Sequence, residues 1–74
     1  MNINYNKLWK LMIDQNMNKT QLKNAAHLST NVIAKLGKNR SVSIDTLGKI
    51  CMVLRCNIGD IVDIVPDNDK EEQL

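Results

Sequence analysis

Residues 18–40, NKTQLKNAAHLSTNVIAKLGKNR, contain two helix starts in close succession. Asn18 and Ser29 are residues that cap helices, because a side-chain oxygen there accepts a hydrogen bond from an orphan backbone N–H of the first turn. Gln21, three positions after Asn18, completes a capping box. Met17 and Leu22 bracket the first cap, and Leu28 and Ile33 the second, as hydrophobic staples. Only 11 residues separate the two caps (29 minus 18). That spacing predicts a two-turn helix over about 19–26, a connection through His27-Leu28-Ser29, and a second helix from Thr30.

Two short helices joined by a three- or four-residue turn form a helix-turn-helix. The faces of the second helix follow from a rotation of about 100° per residue. With Thr30 at about 0°, Ala34, Lys38, Asn31 and Lys35 fall between about 40° and 140°. Val32, Leu36 and Ile33 fall between about 200° and 300°. One side is therefore apolar and the other is built from Thr, Asn, Ala and Lys. In the preceding helix Leu22, Ala25 and Ala26 share one face, and the two small alanines allow close approach.

The same start signal recurs along the chain, with an apolar residue, then Asn or Ser, then an apolar residue four positions on. It occurs at Ile3-Asn4…Leu8, Met17-Asn18…Leu22, Leu28-Ser29…Ile33, Val42-Ser43…Leu47 and Cys56-Asn57…Ile61. Five helices are predicted, beginning after Asn4, Asn18, Ser29, Ser43 and Asn57. The first, over about 5–16, brings Leu8, Met12 and either Trp9 or Ile13 to the core. The fold class is all-α, a compact five-helix domain over residues 1–66. The last eight residues, DNDKEEQL, read as an acidic, flexible tail.

Composition agrees with one small helical domain. The chain has 74 residues, 43 % of them hydrophobic, with one Trp, one Tyr and no Phe, so aliphatic side chains must build the core. No apolar run reaches the roughly 18–20 residues of a membrane span. MNINYNKLWK lacks the layout of a signal peptide, and a cytoplasmic location is expected. Cys51 and Cys56, with four residues between them and one distant His, have poor zinc spacing and are read as structural thiols. No metal or cofactor is expected. Neither a Ser/His/Asp group nor a Gly-rich phosphate loop is evident, so catalysis is not expected.

The net charge of +2 is unevenly spread. The tail carries four acids and one Lys, net −3, which leaves +5 for residues 1–66. From residue 15 to residue 44 there is no acid, while Lys19, Lys23, Lys35, Lys38 and Arg40 all lie there. One-sided charge of this kind fits a polyanionic partner. The exposed side of the second short helix fits a DNA major groove. Asn pairs with adenine, Lys donates to guanine, and Thr or Ala meets a thymine methyl.

The run from Asn18 to Pro66, NKTQLKNAAHLSTNVIAKLGKNRSVSIDTLGKICMVLRCNIGDIVDIVP, resembles the lambda-repressor (Cro-repressor) type of helix-turn-helix. With the first helix included, the resemblance covers about residues 3–66. It implies double-stranded DNA as partner, with base contacts from Thr30, Asn31, Ala34 and Lys35. It implies phosphate contacts from Asn18, Lys19 and Thr20 and from Lys38, Asn39 and Arg40. Two residues depart from the family pattern. His27 stands where the turn usually has Gly, a position that often needs positive φ, which His tolerates better than most residues. Lys23 stands where a small residue normally packs, so its stem must lie along the contact while the ammonium reaches water.

The expected function is a sequence-specific transcriptional regulator, a repressor, that reads the major groove with its third helix. A surplus of apolar residues on helices four and five, Met52, Val53, Ile58 and Val62, suggests a homodimer through them. That surplus is also the sequence support for a rival class, a protein-binding module such as an antitoxin or repressor modulator.

Overall fold

The computed structural model describes residues 2–66; the acidic segment 67–74 lies outside the described residues. Asn18, Ser29 and Ser43 cap helices as their sequence contexts predict. Asn18 Oδ1 accepts from the Gln21 N–H at 2.7 Å, and Gln21 Oε1 accepts from the Asn18 N–H at 2.9 Å. Ser29 Oγ accepts from the Val32 N–H at 3.2 Å, and Ser43 Oγ accepts from the Thr46 N–H at 3.1 Å. The helices they start are α2 (Lys19–Ala25), α3 (Thr30–Gly37) and α4 (Ile44–Leu54).

The first start is displaced by one residue. Helix α1 is Asn6–Asp14 with Tyr5 at its N-cap, and Asn4 accepts from the Asn6 N–H at 3.3 Å. Asn4 ends a short strand, β1 (Asn2–Asn4), which sets its backbone outside the helix. On α1, Leu8 and Met12 are buried and Trp9 is half-buried, whereas Ile13 is 73 % exposed. Ala25 also faces solvent, so of the pair expected at the helix contact only Ala26 is buried.

The predicted fifth helix is corrected to a single 3-10 turn, Ile58–Asp60, followed by β2 (Asp63–Val65). The local start signal is nevertheless present, since Asp60 accepts from the Asn57 N–H at 2.9 Å and Ile61 is fully buried. What fails is propagation. Gly59 is a weak helix former, Ile61, Val62, Ile64 and Val65 are β-branched, and Pro66 biases Val65 towards extended backbone. β1 then offers a ladder, pairing antiparallel with Asn2 opposite Val65, Ile3 opposite Ile64 and Asn4 opposite Asp63. The described residues thus keep the expected compact, mostly helical class, with four α-helices instead of five and a short two-stranded sheet in place of the last.

One core joins these elements. Leu8, Leu22, Leu36, Ile50 and Ile61 contribute from α1, α2, α3, α4 and the C-terminal segment, each with no exposure. Burying such a side chain is worth about 1.5–3 kcal/mol. Gln15 Nε2 donates to the Leu54 carbonyl at 3.0 Å, which ties the end of α1 to that of α4 and satisfies a carbonyl that the helix leaves open. Lys7 Nζ lies 3.0 Å from Asp63 Oδ1 and 3.0 Å from the Gly59 carbonyl, fastening α1 to the C-terminal segment.

All four helices close in one way, and none uses glycine. Asn16, His27, Asn39 and Arg55 stand just past the helix ends with φ of 55–56°. In each case the next N–H reaches back five residues: Met17 to Met12, Leu28 to Lys23, and Arg40 to Lys35 at 2.9 Å, and Cys56 to Cys51 at 3.1 Å. This is the Schellman closure, whose left-handed residue is usually Gly. His27 therefore takes the positive φ that its place in the turn predicts.

Candidate nucleic-acid interface

The surface of interest is built around α3. Its N-terminus is set by the Ser29 cap, its inner face by buried Leu36 and half-buried Val32 and Ile33. The opposite face carries Thr30, Asn31, Ala34 and Lys35, all exposed, as the helical arithmetic predicts. Four side chains with hydrogen-bonding or methyl groups thus lie together on a helix whose other side is anchored in the core.

The residues proposed for phosphate contact separate into two groups. Asn18 and Lys19 line one hollow at the start of α2, together with Trp9, Met17 and Gly37. The Lys19 ammonium lies over the Trp9 ring, 4.8 Å from its centroid, a cation–π contact that steadies a flexible side chain without neutralising it. Asn18 is largely committed to the capping box, and only its amide NH2 remains to donate outward. Thr20 is exposed beside it.

The second group lies just after α3. Lys38, Asn39 and Arg40 line a cavity of about 790 Å³ with Lys35, so a base-reading candidate and the basic loop share one concave surface. Asn39 has a structural duty here: its positive φ closes α3, and its Oδ1 accepts from the Tyr5 N–H at 3.3 Å. The Tyr5 hydroxyl donates to the Arg40 carbonyl at 2.7 Å. Burial raises the pKa of Tyr5 above its ordinary value, although a backbone hydrogen bond from Val42 works the other way, so the phenol remains a neutral donor at physiological pH. Sequence reasoning did not reach Tyr5, Asn2, Asn4 or Ser41, the last three of which line the same cavity. The Tyr5 bonds span 34 and 35 residues, beyond any local signal.

Among the described residues, Lys19, Lys23, Lys35, Lys38 and Arg40 make no ion pair with a carboxylate. Lys23 is half-buried, consistent with a stem packed against its neighbours. His27 is exposed in the turn between α2 and α3. No described helix is long and apolar enough to cross a membrane. No described His, Cys, Asp or Glu group has the clustering that holds a metal ion.

Short α2, the Ser29-capped α3, the polar outer face and the cationic flanks together define a helix-turn-helix nucleic-acid module. Residues 7–67 match the family model for the Cro/C1-type HTH DNA-binding domain, and the chain belongs to that family. Its structure is similar to the crystal structure of the transcriptional regulator VanUg, with a TM-score of 0.85 and 47 % sequence identity over 89 % of this chain and 88 % of that one. Comparison with curated proteins gives no match.

Proposed function

We propose that the protein is a transcriptional repressor that inserts α3 into the DNA major groove and distinguishes sequences there. The observation that carries this reading is the exposed quartet Thr30, Asn31, Ala34 and Lys35 on a capped helix of a Cro/C1-type domain. Asn31 is suited to paired hydrogen bonds with adenine and Lys35 to guanine acceptors, while Thr30 and Ala34 offer methyl contact. Asn18, Lys19 and Thr20 on one side, and Lys38, Asn39 and Arg40 on the other, position the domain on phosphates. The similarity to a transcriptional regulator supports the role in gene control.

Pairing of two copies is part of this reading, because a domain this small gains affinity and operator length by dimerising. Of the expected apolar surplus only Met52 is exposed, at 82 %, while Val53, Ile58 and Val62 are half-buried against the core. Ile44, 68 % exposed, and Ile64, 63 %, join Met52 as the supporting observation. The expected interface uses α4 and the C-terminal segment, with β2 in place of the missing fifth helix.

Selection of bound duplexes from a random pool tests both parts. The expected product is an inverted repeat with half-sites about 10 bp apart. Recovery of no preferred sequence would favour a protein-binding module, for which the same apolar residues would serve as the contact.

A further inference from the structure

The cavity beside α3 has a wall that the helix-turn-helix does not supply. It is lined by Lys35, Lys38 and Arg40 on one side and by Asn2 and Asn4 of β1 on the other, with no acidic residue in the lining. Three cations and three carboxamides, the third being Asn39, around a hollow of about 790 Å³ make a surface complementary to an anion larger than a single ion.

The two walls are held in register. β1 is held by its pairing with β2, Asn2 opposite Val65 and Asn4 opposite Asp63. Directly after β1, Tyr5 is buried, and its N–H and hydroxyl are bonded to Asn39 and Arg40. The strand and the basic loop are therefore tied together by two hydrogen bonds, although these bonds span 34 and 35 residues of chain. Asn4 Oδ1 is already engaged by the Asn6 N–H, which leaves its NH2 to donate. Asn2 is exposed.

We infer that β1 is part of the DNA interface: a backbone phosphate flanking the bases read by α3 enters this cavity and is bound by Asn2 and Asn4 together with Lys38 and Arg40. The inference rests on the reading of α3 as a DNA-binding helix. It adds the contact made by a strand outside the helix-turn-helix. It also gives the short sheet a role, because β2 holds β1 at the groove.

The test uses the full chain and the duplex recovered by selection, with affinity measured across a salt series. Asn2→Asp places a negative charge in the cavity and is expected to weaken binding about tenfold at low salt. Asn2→Arg is expected to tighten binding and steepen the log–log salt slope by about one. In the unsubstituted protein, the Asn2 side-chain NH2 resonance should shift when duplex is added. Thermal melting checks that both variants fold. Salt-dependent binding with unchanged affinities in both variants and an unmoved Asn2 resonance would overturn the inference and leave the reading of α3 standing. Absence of salt-dependent binding by the unsubstituted protein would overturn that reading, and this inference with it.

Discussion

Asn18 and Asn57 begin with the same instructions and end differently. Each comes after an apolar residue, each has a third-position side chain accepting from its own N–H, and each precedes a fully buried Leu22 or Ile61. After Asn18 the chain makes the seven-residue α2; after Asn57 it makes a three-residue turn and then a strand. The start signal sets where a helical turn begins and which residue enters the core. Length is decided by the residues downstream of the cap. Thr-Gln-Leu-Lys-Asn-Ala propagates a helix, while a glycine, β-branched residues and a proline give way to a waiting strand partner.

The largest test of this comparison concerns the two anchors. If both junctions belong to one core, Leu22→Ala and Ile61→Ala each cost about 2–5 kcal/mol in denaturant unfolding. A cost below about 1 kcal/mol for Ile61→Ala alone would mark the C-terminal segment as an appendage.

The second test exploits the residues that precede the caps. Met17 has no proton to lose, but burial, then the neighbouring Cys51 thiol and Asp60, pushes the Cys56 thiol up to about 11. The folded state thus favours the neutral thiol. Its contribution is fully present below the ordinary thiol value near 9 and is lost as pH rises through about 11. Tm should fall over that window, and Cys56→Val should flatten the fall. An identical fall in the variant would mean that the thiol is not responsible.

The caps come next. Asn18→Ala should cost about 1 kcal/mol, since a whole helix hangs on that side chain. Asn57→Ala should cost less than half as much, because the Asp60 N–H bonds the residue 57 carbonyl at 2.9 Å, which alanine keeps, whereas the Gln21 N–H depends on the Asn18 side chain. Equal losses would remove the distinction between the two starts. The smallest effect is expected at the turn between α2 and α3: His27→Gly relieves a left-handed conformation and should stabilise the domain by about 0.5–1 kcal/mol, read as a higher Tm.

Local chemistry explains what could be read in advance. The caps at Asn18, Ser29 and Ser43, the outward face of α3 and the positive φ of His27 all depend on residues within one or two turns of one another. The sheet does not: a strand of three residues is too short to show a period, and β1 finds its partner about 60 residues away. That unseen pairing also moved the first cap from Asn4 to Tyr5 and replaced the fifth helix. At the candidate interface, Thr30, Asn31 and Lys35 were legible because one helix carries them. Tyr5, Asn2 and Asn4 were not, because tertiary hydrogen bonds and the sheet bring them to the basic loop.

In the proposed function α3 reads sequence while the loop after it holds phosphate. Affinity for the selected duplex and for a scrambled duplex of equal length, measured for Asn31→Ala, Lys35→Ala and Arg40→Ala, tests it most directly. Asn31→Ala and Lys35→Ala should each lose about 1–3 kcal/mol on the selected duplex only, collapsing the preference. Arg40→Ala should weaken both duplexes alike and lower the salt slope by about one. Preference that survives both α3 substitutions would contradict the claim.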